Sequence, residues 1–482
     1  MQQAVGPQVA LATGSMTGRV IGGVAEYRGV PYAAAPVGER RFGPPKPAET
    51  WAGVRDAAQD GAIAPQSPSR VYASMGAFEA AQAEDCLYLT LWAPEGANSG
   101  RPVIVWFHGG GFMTGAGSAP WYDGAALASA CDAVVVNVNY RLGALGFLSI
   151  PGVVDGNLAI LDQVCALRWV QENIHVFGGD ARRVTVIGQS GGGHNIASIL
   201  SMPGTDGLFA RAVLMSPPLG VDLQSEAGAA RTRERFLELC NISPDSPDLA
   251  AELRRLSVAQ ILDAQSATAR SLGQMDKGDL RPPFMPCTAA PHALAASGLI
   301  DAAAKGAAAR GIEMLVGWTR DEANLFYFGQ SDLQPVDHEQ LRRMVAELPY
   351  GRTEGLLNTV RERRPEGSNV QWWLDAVADV TFRLPSQALA DAVVANGGCA
   401  FVYQFDWPSP ELRLGACHCV DIPFFFGTFK QWASAPIMAG ARPESYEPVS
   451  RQAMSMLAQF VRSGETGFPQ WNPSDPFIHH FG

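Results

Sequence analysis

A serine surrounded by glycines ends an apolar, β-branched run near the middle of the chain. Residues 184–193 have the sequence VTVIGQSGGG. The G-x-S-x-G pattern within it predicts a sharp turn from a strand into a helix, and such a turn raises a serine hydroxyl above the edge of a sheet. Gly188 and Gly192 would let the strand and a helix over 191–200 approach each other closely. The alternative is a glycine-rich turn in which Ser190 only caps that helix.

The chemistry of acyl transfer favours the first interpretation. A serine hydroxyl is a weak nucleophile until a base takes its proton, and the attacked carbonyl oxygen needs hydrogen-bond donors. Ser190 is therefore the candidate nucleophile. The N-terminus of the predicted helix would direct free N–H groups and the positive end of its dipole at the site, so the N–H of Gly191 is a candidate oxyanion donor.

A second glycine cluster follows a strand predicted over 102–107, which is apolar on both faces. Its sequence is His108-Gly109-Gly110-Gly111-Phe112. Three glycines after a buried strand expose backbone N–H groups without side chains in the way, which an oxyanion hole requires. A flexible glycine turn is the alternative interpretation.

The order of the predicted elements indicates the class of fold. Strands at 84–92, 102–107 and 133–140, a helix at 162–176 and the strand-to-helix turn at Ser190 alternate along the chain. This alternation predicts a parallel α/β sheet flanked by helices.

Other segments extend this α/β unit on both sides. An antiparallel hairpin is predicted over 17–30, and strands at 312–318 and 400–405 come later. Segments 226–305 and 338–395 have mainly helical patterns, so we predict helical insertions there that shape a substrate gorge. The simplest organisation is one catalytic domain over the whole chain, 1–482.

Composition limits the partners and the compartment. The 482 residues carry a net charge of −11 and include eight scattered cysteines. The negative charge argues against nucleic acid and anionic membrane surfaces, and no apolar run is long enough to span a membrane. The cysteine pattern fits reduced thiols, and no secretory signal is visible. We therefore predict a cytoplasmic protein, a monomer or a weak homo-oligomer, that acts on a small molecule.

A serine nucleophile needs an imidazole, and in folds with this elbow the order along the chain is serine, acid, histidine. His418, in a loop after a late strand, satisfies that order best. His479 and His480 are expected at a frayed C-terminus. Cys417 and Cys419 flank His418 and offer metal binding as an alternative, but adjacent residues seldom converge on one ion, so no metal is expected.

The acid should fix the histidine tautomer and stabilise the charged imidazole. Asp321 and Glu322 both follow the strand predicted at 312–318, where loops carrying functional residues cluster. Spacing alone leaves both residues open. Either one could instead be a solvated surface charge.

Many ordered motifs make the chain similar to the type-B carboxylesterases, the cholinesterase-like branch of the α/β-hydrolases. The matching stretches are 27–33, 36–38, 41–42, 84–89, 108–112, 139–143, 156–157, 161–163, 177–180, 188–192, 321–322, His418, Asp421 and 426–427. The resemblance covers most of the chain and implies an α/β-hydrolase fold, a bacterial carboxylesterase and no cofactor.

The resemblance also assigns roles. It implies Ser190 as nucleophile, Glu322 rather than Asp321 as acid and His418 as base, acting on a carboxylic ester through an acyl-enzyme. The oxyanion-hole positions of the family fall on Gly110, Gly111 and Gly191.

Two departures from the family pattern stand out. Gln189 replaces the glutamate that usually precedes the nucleophile, which should weaken stabilisation of a charged His418 and any preference for cationic substrates. Ala64 stands where secreted members have the cysteine that pairs with the counterpart of Cys86, which supports a reducing compartment.

Substrate identity is open at this stage. Residues that would line the acyl and alcohol pockets, or else lie in the core, are Phe112, Met113, Gln189, Phe284, Trp318, Phe326, Phe328 and Phe425. Two other functions use the same features: a non-catalytic binding protein on this fold, against which the complete triad argues, and an acyl transferase or amidase with the same triad.

Overall fold

The computed structural model describes residues 4–69, 71–96, 99–272, 280–288, 298–329, 337–348 and 353–482. A large mixed sheet with helices on both faces makes up its centre. The strands are β1 Ala4–Leu11, β2 Gly14–Ile21, β3 Val24–Pro31, β4 Val54–Asp56, β5 Tyr88–Pro94, β6 Arg101–Phe107, β7 Val134–Val138, β8 Ser149–Ile150, β9 Val154–Asp155, β10 Gly179–Gln189, β11 Arg211–Met215, β12 Glu313–Thr319, β13 Cys399–Phe405 and β14 His479–Phe481.

The helices connect these strands and cover both faces. They are α1 Tyr72–Met75, α2 Ala125–Cys131, α3 Gly143–Phe147, α4 Leu158–Asn173, α5 Gly191–Ser201, α6 Glu226–Leu239, α7 Leu249–Arg255, α8 Val258–Ser271, α9 Leu299–Ala309, α10 Asn324–Tyr327, α11 His338–Ala346, α12 Thr353–Arg363, α13 Asn369–Ala378, α14 Leu384–Ala395, α15 Ile422–Phe426, α16 Phe429–Trp432 and α17 Pro443–Ser463. A π-helical turn, Asp379–Arg383, joins α13 to α14.

The order of strands in the main sheet is β1-β2-β3-β5-β7-β6-β10-β11-β12-β13-β14, with β4 beside β2. Strands β7 to β14 along this order pair in parallel, whereas β1, β2, β3 and β5 form antiparallel pairs. Every residue of β6 and β7 is buried, as expected of central parallel strands with helices on both faces. The α/β-hydrolase fold predicted from the sequence is confirmed.

Parallel pairing places the carboxyl ends of the central strands at one edge of the sheet. Gly188 of β10 is opposite Phe107 of β6, and Gln189 is opposite Met215 of β11. The loops that follow β6, β10, β12 and β13 therefore leave the sheet from the same edge. Ligand sites of open α/β sheets lie at this edge.

Two strands of the sheet differ from what the sequence predicted. Strand β1 was not predicted, because Gly6 and Pro7 are poor strand formers, and it pairs with β2 through an irregular register. Strand β5 begins at Tyr88 and not at residue 84, because its pairing with β3 ends at Tyr88, opposite Pro31.

The expectation of a frayed C-terminus was wrong. His479 and His480 lie in β14, which pairs in parallel with the end of β13. The Nδ1 atom of His480 lies 2.6 Å from an Asp406 carboxylate oxygen. Hydrogen bonds to an existing strand hold this end of the chain in the sheet.

The two segments predicted as helical insertions contain α6 to α9 and α11 to α14. Parts of them, 273–279, 289–297 and 349–352, lie outside the described residues. Whether they act as insertions of a single domain that shape a gorge stays a prediction. Among the described helices, none is both long and apolar enough to cross a membrane.

Candidate active site

Ser190 lies at the sharp turn between β10 and α5. Its φ is +56°, a left-handed conformation that a residue with a Cβ adopts only when the surroundings enforce it. Its N–H donates to the carbonyl of Met215 at 2.8 Å, and its carbonyl accepts from the N–H of His194 at 3.0 Å. The backbone on both sides thus fixes the strained turn that the G-x-S-x-G pattern predicts.

Glycines allow the strand and the helix to meet at this turn. A Cβ on Gly192 would collide with the carbonyl oxygen of Phe107, and one on Gly188 would lie 2.5 Å from the carbonyl carbon of Gly192. A Cβ on Gly109 would lie 3.0 Å from the Cβ of Ser190. The predicted close approach of strand and helix is confirmed, and the glycine loop after β6 also approaches the serine.

The glycine loop has a backbone that side chains rarely adopt. Gly110 has a φ of +120° and Gly111 a φ of +59°. The carbonyl of Gly110 accepts from the N–H of Thr114 at 3.1 Å. The backbone nitrogen of Phe112 lies 3.4 Å from the position of a Cβ on Gly191, so this loop and the start of α5 are adjacent.

His418 and Glu322 form a buried pair. The Nδ1 atom of the histidine lies 2.5 Å from Oε2 of the glutamate, and the side chains are 2% and 1% exposed. The other carboxylate oxygen, Oε1, accepts from the N–H of Thr319 at 2.8 Å. Both oxygens are therefore engaged, which fixes the carboxylate relative to the imidazole ring.

Asp321, the other candidate acid, faces away from the histidine toward different partners. Its carboxylate lies 2.6 Å from Nη2 of Arg364 and accepts from the N–H of Ala416 at 2.9 Å. A further ion pair joins it to Arg320 at 3.1 Å. Glu322, not Asp321, is the carboxylate that contacts His418.

Gln189 contacts the second nitrogen of the same imidazole. Its Nε2 atom lies 3.0 Å from Nε2 of His418 and 3.2 Å from Sγ of Cys419. An amide nitrogen only donates, so this contact requires an unprotonated Nε2 on the histidine and leaves its proton on Nδ1, toward Glu322. Within the described residues, no group of three His, Cys, Asp or Glu side chains could hold a metal ion.

Two phenylalanine rings pack against His418. Phe326 and Phe382 each have their ring centroid 5.0 Å from that of the imidazole. The two rings stack on each other at 6.1 Å with an angle of 6° between their planes. Phe326 was among the predicted pocket residues, but Phe382 was missed, because an apolar residue within a helical pattern gives no signal of function.

The remaining pocket candidates lie in several places. Phe112 packs edge-to-face against Phe147 and His194, and Met113 is partly buried against the core. The ring of Phe328 lies 4.9 Å from the guanidinium carbon of Arg413.

Three other candidates are enclosed by the interior. Phe284, Trp318 and Phe425 are 0–1% exposed. Phe284 packs against Phe236, and Trp318 donates its indole N–H to Gln404. Whether any of them reaches substrate stays a prediction.

A buried carboxyl group that the sequence singled out only as part of a family motif lies close to the His418–Glu322 pair. Asp421 is fully buried, and neither oxygen of its side chain has a hydrogen-bond partner. Burial, together with the charge of Glu322, raises its pKa to about 8. This carboxyl group therefore keeps its proton to higher pH than an exposed aspartic acid does.

Two other histidines near the site are structural. His108 stacks on Tyr140 with ring centroids 4.3 Å apart, and Nε2 of His194 lies 2.9 Å from the carbonyl oxygen of Val221. Burial lowers the pKa of each to about 4. Both rings are thus neutral near pH 7.

The sheet, the elbow and the buried histidine–carboxylate pair define an α/β-hydrolase. Comparison with protein-family models matches residues 5–477 to the carboxylesterase family. The chain belongs to this family, whose members include the type-B carboxylesterases.

Individual relatives agree along nearly the whole chain. A probable N-octanoylanthranilate hydrolase of Rhodococcus erythropolis is 36% identical over 481 residues, covering 98% of this chain and 97% of the relative. The para-nitrobenzyl esterase of Bacillus subtilis is 35% identical, covering 95% of this chain and 89% of the relative. The solved structure of the Geobacillus stearothermophilus carboxylesterase EST55 has a TM-score of 0.83 at 33% identity, covering 98% and 96% of the two chains. These similarities make the chain a carboxylic ester hydrolase.

Proposed function

We propose that the chain is a serine carboxylesterase that hydrolyses small carboxylic esters through a Ser190–His418–Glu322 triad and an acyl-enzyme. The observation that supports it most is the 2.5 Å contact between His418 Nδ1 and Glu322 Oε2. In such a pair the carboxylate holds the imidazole in one tautomer and stabilises its positive charge when it gains a proton.

The reaction proceeds in two halves. Oγ of Ser190 attacks the ester carbonyl carbon while Nε2 of His418, which must exchange its contact with Gln189 for one with Oγ, takes the hydroxyl proton. The C–O bond to the alcohol then breaks, the alcohol leaves with that proton, and an acyl-serine remains. Water attacks the acyl group with His418 again as the base, and the carboxylic acid is released with Ser190 restored.

Backbone N–H groups would stabilise the oxyanion of each tetrahedral intermediate. Gly110, Gly111 and Gly191 are the proposed donors. The adjacency of the glycine loop and the start of α5 supports this, because donors from two segments can then reach one oxygen. The N–H of Gly191 also belongs to the first turn of a helix, where N–H groups have no partner inside the helix.

The helical segments 226–305 and 338–395 are proposed to shape the entrance to this site within a single domain. Phe382, between α13 and α14, already reaches His418. Gln265 of α8 accepts from the N–H of Ala144 at 2.8 Å, which joins the first segment to α3. Both contacts support the proposal, because each joins a helical segment to a residue that follows a strand of the main sheet.

A reducing, cytoplasmic location is proposed because of the state of the cysteines. No disulfide joins the eight cysteines, all of which lie in the described part of the chain. Burial raises the pKa of Cys86 and Cys131, Cys131 to about 12, so these thiols stay protonated and unreactive.

A series of p-nitrophenyl esters of increasing acyl length tests the function, with Ser190→Ala beside the wild type. We expect turnover by the wild type and its loss in the variant. A fluorophosphonate probe should label the wild type once, and peptide mass spectrometry should locate the label on Ser190.

The competing functions give different outcomes. Tight ester binding without turnover or labelling would indicate a binding protein. Faster cleavage of a matched amide, or ester formation with an added alcohol that exceeds hydrolysis, would indicate an amidase or an acyl transferase.

A further inference from the structure

The loop that carries Glu322 and the loop that carries His418 are hydrogen-bonded to each other through Asp321. The N–H of Asp321 donates to the carbonyl of Ala416 at 2.8 Å, and the N–H of Ala416 donates back to Oδ2 of Asp321 at 2.9 Å. A further bond runs from the N–H of His418 to the carbonyl of Glu322 at 3.4 Å. The acid and the base are therefore held together by their backbones as well as by their side chains.

The contact at Asp321 requires a glycine in the second loop. Gly415 has a φ of +57°, and a Cβ there would lie 2.6 Å from Oδ2 of Asp321. The loop before the histidine thus packs directly onto the Asp321 carboxylate. Any movement of that carboxylate would be transmitted to both loops.

Arg364, which directly follows α12, holds the Asp321 carboxylate in place from the helical segment. Its Nη2 lies 2.6 Å from Oδ1 of Asp321, and its Nε lies 3.0 Å from Oδ2 of Asp375 in α13. The carboxylates are 6% and 7% exposed, and the arginine is 34% exposed. A planar guanidinium can bond both carboxylates at once, which an ammonium group on a flexible stem cannot do equally well.

We propose that Arg364 and Asp321 are positioning residues that set the distance between the carboxylate of Glu322 and the imidazole of His418. This proposal rests on the proposed function, in which those two groups are the acid and the base. Through them the helical segment 338–395 contributes to catalysis, not only to substrate access. Neither residue takes part in proton transfer. Their effect comes from holding the loop of Glu322 and the loop of His418 in a fixed relative position, although the two residues are 96 positions apart in the chain.

Arg363 provides a matched control at the neighbouring position. It ends α12, is 35% exposed and bonds Asp379 at 3.0 Å. Asp379 keeps Arg383 as a second partner at 2.7 Å. Arg363→Gln therefore removes the same charge at the same exposure without touching either loop of the triad.

Steady-state kinetics of Arg364→Gln and Arg363→Gln on one p-nitrophenyl ester test the proposal. We expect kcat to fall about 10- to 100-fold in Arg364→Gln with KM changed less than about twofold, because small misplacements of reacting groups have effects of this size. We expect Arg363→Gln to stay within about twofold of the wild type.

The pH–rate profile separates positioning from a simple loss of charge. Loss of a nearby cation favours a protonated histidine and would move the acid limb of kcat/KM to higher pH. A looser Glu322–His418 pair disfavours the protonated histidine, so the proposal expects the limb of Arg364→Gln to move to lower pH. The proposal would be overturned if the acid limb of Arg364→Gln moved to higher pH, or if the limb of Arg363→Gln moved by the same amount as that of Arg364→Gln.

Thermal unfolding of each variant shows whether it folds. If Arg364→Gln does not fold, Arg364→Lys replaces it in the kinetic test. The lysine keeps the charge but bonds one carboxylate well, so we expect an intermediate kcat; wild-type kcat in Arg364→Lys would overturn the proposal. If the wild type neither turns over esters nor is labelled at Ser190, the proposed function is wrong, whatever the Arg364 variants show. The failure of either idea can thus be distinguished.

Discussion

The Nδ1 atom of His418 lies 2.5 Å from Oε2 of Glu322, although 96 residues separate them in the chain. The two residues follow the ends of β13 and β12, which are neighbouring parallel strands. Parallel pairing brings both loops to one edge of the sheet, where β10 ends just before Ser190. The meeting of Glu322, His418 and the elbow at this edge is thus a direct consequence of strand order.

Glu322→Gln should leave the fold intact and lower kcat by about 10³- to 10⁴-fold. The amide no longer carries the charge that stabilises a protonated His418, and it can present an N–H that favours the wrong tautomer. Steady-state hydrolysis of a p-nitrophenyl ester measures the effect, with the exposed Glu465→Gln as control. A loss of less than tenfold would exclude Glu322 as the acid.

Gln189→Glu should move the acid limb of the pH–rate profile to higher pH by about one unit. A carboxylate within hydrogen-bond distance of Nε2 of His418 favours the protonated imidazole, so more alkaline conditions are needed to obtain the neutral base. The same variant should gain relative rate on esters of cationic alcohols. Gln189→Met, which adds no charge, should not move the limb upward, and an unchanged limb in Gln189→Glu would contradict the prediction.

Gly192→Ala should destabilise the fold by about 1–3 kcal/mol and abolish most of the activity. Its Cβ would collide with the carbonyl oxygen of Phe107, so the start of α5 must move away from the end of β6. Gly355 in α12 has no atom within 4 Å of a Cβ position, so Gly355→Ala should stabilise by about 0.5–1 kcal/mol. Urea unfolding and ester turnover of both variants check the contrast.

Phe382→Ala should lower the free energy of unfolding by about 3–5 kcal/mol, as for a large cavity, and should also lower kcat. The loss in kcat is expected because the ring limits the orientations open to His418. Phe236→Ala is the control, since Phe236 is 0% exposed and packs against Phe284 instead. We expect both variants to be destabilised to a similar extent and kcat to fall only in Phe382→Ala, which would separate the loss of stability from the loss of the contact with His418. Equal kcat values in the two variants would refute the role of the Phe382 ring.

Asp421→Asn should be more stable relative to the wild type at pH 7 to 8 than it is at acidic pH. The folded state raises the pKa of Asp421 to about 8 from the ordinary value of 3.8, so between these values the unfolded chain releases a proton that the folded chain keeps. Wild-type stability therefore falls as pH rises from about 4 to 8, by linkage, and the neutral asparagine removes this loss. Thermal unfolding across that range measures it, with the exposed Asp475→Asn expected to follow the wild type.

Local pattern was sufficient for much of the fold. The all-buried strands β6 and β7 and the elbow helix α5 have sequence signals carried by adjacent residues, namely continuous apolar runs and glycine spacing. Boundaries were less predictable where pairing with another strand decided them, as at the start of β5, whose pairing with β3 ends at Tyr88, opposite Pro31. Strand β14 was missed for the same reason, because only its partner β13 makes a strand of His479–Phe481.

The chain by itself determined the family, the candidate serine and the candidate histidine, because each is marked by its neighbours in sequence. It left Asp321 and Glu322 open on spacing, and only the family resemblance favoured the second. The tertiary structure decided which carboxylate meets His418, packed Phe326 and Phe382 against the imidazole, and joined Asp321 to Arg364. These relationships connect residues far apart in the chain, so their distances depend on strand order and loop packing, which no local pattern encodes.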